Sequence, residues 1–247
     1  MDSSEQQMLT SSLMKLLLYE RSGALQKALQ ALSLKDSVRS YVGFANGAGQ
    51  SLDEAVESTR VTGIVSPGNS FGHMDGGLDK AISSYFGHKL GISQSQVSSR
   101  VQRLIFETCR GYNPPTNALI LELGPTSTVP LLIHLPTMST PMAIPEGDPV
   151  VFNCVWNLLN AVDNYNRTRP GTLDTILVPA LAAGYGKVTV ESCACQIAAA
   201  VGLYYRGIQG NWAHMCSLDS HIRALAKHHP EPSALDSLGL TRPQNQA

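Results

Sequence analysis

Charge is scarce in this chain, and neither sign dominates. Only 15% of its 247 residues are Asp, Glu, Lys or Arg, and the formal net charge is -1. No basic face is available to neutralise a phosphate backbone or an acidic membrane, so nucleic-acid binding and membrane-surface binding are not expected. Aromatic residues are also few, at 6%. The five cysteines (Cys109, Cys154, Cys193, Cys195 and Cys216) are an odd number without C-x-x-C spacing. That argues against a disulfide framework or a zinc site. Cys193 and Cys195 stand two apart in a segment of helical character, where they face different ways and make a poor metal pair. No apolar run approaches the length of a membrane span. The segment at 13–19 is too short for a secretory leader, contains Lys15 and has no small-residue cleavage site. A reducing, cytoplasmic setting is expected, with a nuclear one open. Internal repeats, the G-x-x-x-x-G-K-[ST] phosphate loop, the G-x-G-x-x-G fingerprint and H-E-x-x-H are all missing.

What the chain does have is apolar residues, 43% in all, enough for the core of one large α/β domain. Residues 1–11 are polar and read as loose, 12–229 as one domain, and 230–247 as a proline-bearing tail. β-type runs fall at 13–19, 38–45, 61–65, 118–123, 131–135 and 175–178. Between them, helical spacing predicts helices over 23–34, 52–56, 78–86, about 97–105, 150–165 and 190–204, with a last helix at 217–228. Alternation of this kind predicts a mixed, mainly parallel sheet covered by helices on both faces, a three-layer α/β/α sandwich. In such folds ligands bind beyond the C-terminal strand ends.

Two glycine-bearing loops follow predicted strands. The first runs Ser66-Pro67-Gly68-Asn69-Ser70-Phe71-Gly72-His73-Met74-Asp75-Gly76-Gly77-Leu78-Asp79 into a helix. Glycines there free backbone amides for close ligand approach, and amides at a helix start attract anions. The Asn69 carboxamide can donate to and accept from a sugar hydroxyl. Asp79, in a first helical turn, is expected to be held ionised by the helix dipole, ready to polarise a water. The same residues also suit a plain turn and a helix start. The second loop, Ala182-Ala183-Gly184-Tyr185-Gly186, offers successive amides for a diphosphate, or again a simple turn. His134 ends a predicted strand and reads as a satisfied strand-end histidine; Ser70 and Cys154 are the nucleophiles available to it.

The two loops together carry a resemblance. Ser66-Pro67-Gly68-Asn69 and Gly76-Gly77-Leu78-Asp79 are similar to the Asn-Ala-Ala-Asn and Gly-Gly-Val-Asp elements of the macrodomain family. Residues 176–186 resemble its second ligand loop, and 132–138 the strand between, so that the likeness spans about residues 13–210. The first loop resembles MacroD-type hydrolases most. The chain departs at Ser66 for the first asparagine, Ser83 for a histidine and Ala183 for a threonine.

The resemblance implies a binder of ADP-ribose or of an ADP-ribosylated protein, with no metal or cofactor. It implies Asn69 at the distal ribose and Gly76 and Gly77 pressed against that ribose and the diphosphate. Asp79 would stand beside the anomeric carbon and residues 182–186 around the diphosphate. The adenine would lie near the end of the 38–45 run, with Asp53 as a candidate contact. It implies removal of mono-ADP-ribose from acidic side chains or O-acyl esters, with a non-catalytic reader and an ADP-ribose phosphate phosphatase as alternatives. The glutamate pair of the glycohydrolases that degrade poly-ADP-ribose is absent.

Overall fold

The computed structural model describes residues 14–45, 49–126, 128–231 and 233–240. The loose segment expected at 1–11, residues 46–48 and the part of the expected tail at 241–247 lie outside the described residues. In chain order the elements are β1 (Lys15–Tyr19), α1 (Ala24–Gln30), α2 (Asp36–Tyr41), β2 (Val42–Phe44), α3 (Leu52–Thr59), β3 (Gly63–Ser66), α4 (Gly77–Leu90) and α5 (Gln94–Cys109). There follow β4 (Leu119–Leu121), β5 (Leu131–His134), α6 (Val150–Thr168), β6 (Thr175–Pro179), α7 (Val190–Arg206), α8 (Trp212–Leu225) and α9 (Ala234–Ser237).

The strands form one six-stranded sheet in the order β2-β1-β6-β3-β5-β4. Every neighbouring pair is parallel except β4 with β5. Successive side chains of a strand point to opposite faces, and here both faces are apolar. Leu16, Leu18, Val65, Ile133, Ile176 and Val178 enter one buried cluster with α1, α6 and α7. Leu17, Ile64, Leu132 and Leu177 enter the other with α3, α4 and α5. The result is the three-layer α/β/α sandwich that the alternation predicts, with continuous apolar strands because no face meets water.

Two expectations fail. The run at 38–45 is not one strand: its first part is the helix α2, and only Val42–Phe44 joins the sheet. β-branched Val38 favours a strand locally, but it is buried beside α7, 3.2 Å from where a Cβ on Gly202 would stand. Arg39 Nε also ties the helix to the Leu34 carbonyl at 3.1 Å. Tertiary packing overrides a weak local preference.

Nor is the tail loose at 230–240. It adds the short helix α9 after α8, which itself begins at Trp212, earlier than expected, under an Asn211 cap. Leu235, Leu238 and Leu240 are 0%, 3% and 2% exposed. Arg206 Nη1 donates to the Leu238 carbonyl at 2.6 Å, and Lys35 N to Leu240 O at 3.1 Å.

The long helices are tied together by polar groups as well as by apolar packing. Gln196 of α7 is fully buried, and its Oε1 accepts from Phe152 N in the first turn of α6 at 3.1 Å. Its Nε2 donates to Ser192 Oγ, which donates in turn to the Leu225 carbonyl of α8. Each buried polar group in this line has a partner, so none carries the penalty of an unmade bond.

Candidate functional site

β6, β3 and β5 are adjacent and parallel, so their C-terminal ends open on the same side of the sheet. The segments after them enclose a cleft of about 580 Å³. This is the size of a small-ligand site. The first loop contributes Gly68, Asn69, His73, Asp75 and residues 76–79, and the second contributes residues 182–185 and Lys187. Thr137, Met138 and Pro141 come from the segment after β5. The two loops picked out in the sequence therefore do converge.

The first loop is firmly held. A parallel bridge between Asn69 and Met138 prolongs the β3–β5 pairing beyond the strands. Thr137 Oγ1 donates to the Pro67 carbonyl at 3.2 Å, and Ser70 N to Ser139 O at 3.2 Å. His134 lies beneath, 1% exposed. Its Nδ1 accepts from Asn113 Nδ2 at 2.9 Å, which leaves the ring proton on Nε2, 3.0 Å from the Asn69 carbonyl. Burial pushes the His134 pKa down to about 4 against the raising effect of that carbonyl, so the ring is neutral. Neither Ser70 nor Cys154 is hydrogen-bonded to it. Cys154 sits in the core, where burial drives its thiol well above the ordinary range. His134 is thus a buttress for the loop, as its strand-end position suggests.

Asp79 stands in the first turn of α4. Its Oδ1 accepts from Ser66 Oγ at 2.7 Å. Ser66 is fully buried, and its bond orients the carboxylate. A Cβ on Gly68 would stand 2.7 Å from Asp79 Oδ2, so a side chain there would displace the carboxylate from this position. Burial pushes the Asp79 pKa up to about 6; the Ser66 bond opposes the rise and the Asp75 charge adds to it. The expectation that the helix dipole holds Asp79 ionised is therefore corrected. The dipole's contribution, about 0.3–1 kcal/mol at a helix start, is smaller than the desolvation.

The start of α4 is open. α3 and α5 carry side-chain capping boxes, whereas Gly76 at the α4 N-cap has no side-chain hydrogen bond. Gly77 follows with φ +53°, in the left-handed region that favours glycine. Across the cleft, no group among the described residues accepts from the amides of Ala183, Gly184, Tyr185 or Gly186. The second loop is closed by Lys187 N to Gly184 O and Val188 N to Ala182 O, each at 3.2 Å. Ala182 adopts φ +57°, a strained conformation for a residue with a side chain. Residues 183–185 and the start of α4 thus line one space with amides that lack a partner among the described residues, an arrangement suited to an anion.

The remaining expected residues are distributed as follows. Asn69 lines the cleft, but its Oδ1 accepts from Phe71 N at 3.1 Å and His73 N at 3.3 Å, and its Nδ2 donates to His73 O at 2.9 Å. One N–H remains for a ligand, so Asn69 offers a donor rather than the donor–acceptor pair expected of it. Tyr185 stands at the rim, 67% exposed. Gly186 is buried behind the turn against the Ala182 carbonyl and does not line the cleft. Asp53 does not line it either. Thr137, Met138, Pro141 and Lys187 were not among the expected site residues, although Thr137 and Met138 fall in the 132–138 segment that carries part of the resemblance. What brings Thr137, Met138 and Pro141 to the cleft is the adjacency of β5 to β3 in the folded sheet, while Lys187 directly follows the second loop.

Among the described residues, no group of three or more His, Cys, Asp or Glu is arranged to hold a metal ion, and no helix is long and apolar enough to cross a membrane.

The sequence model of the Macro-like domain family matches residues 51–209. Solved structures of similar fold include the macrodomain of Mycobacterium tuberculosis DarG, 14% identical, TM-score 0.46, covering 66% of this chain and 89% of that one. The Oceanobacillus iheyensis macrodomain with ADP is 18% identical, TM-score 0.45, covering 72% and 84%. A glycine-to-valine mutant of the Oceanobacillus iheyensis macrodomain with ADPR is 20% identical, TM-score 0.41, covering 61% and 73%.

Proposed function

The chain belongs to the Macro-like domain family, and on that premise we propose that its cleft binds ADP-ribose and hydrolyses the bond joining the distal ribose to a carboxyl group of a modified protein or a small acyl ester. The observation that carries this reading is Asp79: a half-buried carboxylate, oriented by Ser66, at the open end of α4 and facing a loop of unsatisfied amides.

The amides of residues 183–185 receive the diphosphate, and the first turn of α4 and the Asn69 N–H take the distal ribose. Asp79 holds a water against the anomeric carbon and accepts its proton as the carbon–oxygen bond breaks. The carboxylate that departs is a fair leaving group, so orientation of the water and a base to take its proton supply much of the catalysis. No metal or cofactor enters this scheme.

A base must be ionised to accept a proton. Turnover is therefore expected to be constant above about pH 7 and to fall as pH drops through about 6. Ser66→Ala removes the bond that favours the ionised form, so the acid limb moves to higher pH and turnover at pH 7 drops several-fold. A pH–rate profile of the two proteins checks both statements; superimposable limbs would remove Ser66 from the scheme.

The engagement of Asn69 with its own loop favours a second reading, a reader that holds ADP-ribose without turning it over. Calorimetry with ADP-ribose, ADP, AMP and NAD tests binding, and incubation with protein labelled on glutamate tests turnover. The hydrolase binds ADP-ribose at least tenfold more tightly than AMP and releases the label. A reader binds and retains it. Release of inorganic phosphate from ADP-ribose phosphate would mark a phosphatase, and no preference for ADP-ribose would end the assignment.

A further inference from the structure

We propose that His73 is a second catalytic residue of this cleft, donating a hydrogen bond from Nε2 to the carboxylate that leaves the distal ribose, and that α5 serves to hold its ring in place. The inference rests on the hydrolase reading above.

His73 lines the cleft together with Asp79, Gly76 and Gly77. It is exposed, yet it is one of the most constrained residues of the loop. Its main chain is gripped at both ends by one side chain: Asn69 Oδ1 accepts from His73 N, and Asn69 Nδ2 donates to His73 O. Its ring is oriented from another element, with Gln102 Nε2 of α5 lying 3.1 Å from His73 Nδ1. An amide nitrogen of this kind only donates, so Nδ1 accepts and the ring proton lies on Nε2. Among the described residues, no acceptor takes that Nε2–H. The neighbouring Gly72 lies against Val101 and Ile105 of α5, so the loop is pressed onto the helix that orients the ring. A surface histidine kept only for solubility does not need a main-chain clamp and a ring anchor from a separate helix.

The chemistry gives such a donor a use. In the proposed reaction a water oxygen bonds to the anomeric carbon, and its proton passes to the ionised Asp79. The bond from that carbon to the acyl oxygen breaks, and its electron pair leaves on the carboxylate. The departing oxygen gains negative charge that it did not carry in the ester. A fixed N–H aimed at developing charge stabilises the transition state more than the ground state. No proton is transferred from His73, because the carboxylate leaves ionised.

The test uses the full chain, with ADP-ribose esters of benzoate and of para-nitrobenzoate at the anomeric carbon as substrates. In His73→Ala the Asn69 clamp is retained, since it holds only main-chain atoms. That variant is expected to lower kcat by roughly 10–100-fold on the benzoate ester with KM and ADP-ribose affinity within about threefold. The loss shrinks on the nitrobenzoate ester, whose leaving group needs less help. Gln102→Ala is expected to lower kcat several-fold in the parent protein and to have no further effect in His73→Ala, as a positioning residue must.

Equal losses on both esters, or a kcat within twofold of the parent, would overturn the role of His73 and leave the hydrolase reading intact. A parent protein that binds ADP-ribose and hydrolyses neither ester would overturn both.

Discussion

Asp79→Asn is expected to abolish hydrolysis, to leave ADP-ribose bound and to stabilise the protein. The substitution preserves shape, and Ser66 Oγ can still donate to the oxygen that replaces Oδ1. It removes the base, so turnover should fall by about 10²–10⁴-fold. Affinity should stay within about threefold, because binding in this scheme relies on backbone amides and the α4 N-terminus.

The stability effect follows from the same carboxyl. Its pKa is raised from 3.8 to about 6 on folding. An acid whose folded pKa is raised favours the native state below its unfolded pKa and loses that contribution as pH rises through the folded value. At pH 7.5 the native protein thus carries the full cost of an ionised group kept from water. Allowing for partial exposure, this is on the order of 1–2 kcal/mol. Asp79→Asn should therefore raise Tm by a few degrees at pH 7.5, and the gain should vanish near pH 4. Differential scanning calorimetry at the two pH values, with label release as the activity assay, reads both parts. Turnover within twofold of the parent would take Asp79 out of the mechanism.

Leu235→Ala is expected to lower stability by about 2–4 kcal/mol, through the lost transfer energy and the cavity left behind. That corresponds to a drop in Tm of roughly 5–12 °C for a chain of this size. The side chain is fully buried in the cluster that includes Leu238, Leu240 and α7. A leucine in a solvated tail would cost less than about 0.5 kcal/mol on the same change. Thermal or urea unfolding distinguishes the two. A change below 1 kcal/mol would mean that 234–240 does not belong to the folded core in solution.

The tail was misread because its signal is tertiary. Its three leucines sit among prolines and polar residues, and the helix that holds Leu235 has only four residues, too short to show a period. What recruits them is the small-residue surface of α7: a Cβ on Gly202 would collide with Leu240. The same surface turned Val38 from an apparent strand into α2. Local propensities are fractions of a kcal/mol per residue, whereas burial of one such side chain is worth about 2 kcal/mol.

The site divides along the same line. Residue types and their order along the chain were enough to find both loops, since turn chemistry, glycines and first-turn acids are local features. Apolar alternation was enough to find the sandwich, because strands buried on both faces and helices with one apolar stripe have few other ways to combine. The fold alone decided which way the groups face and what charge they carry. It turned Asn69 inward onto its own loop and sent Gly186 behind the turn. It brought in Thr137, Met138, Pro141 and Lys187. It raised the Asp79 pKa where a helix start alone would have lowered it. These outcomes depend on solvent exclusion and on partners many residues away, and neither is written in any short stretch of the chain.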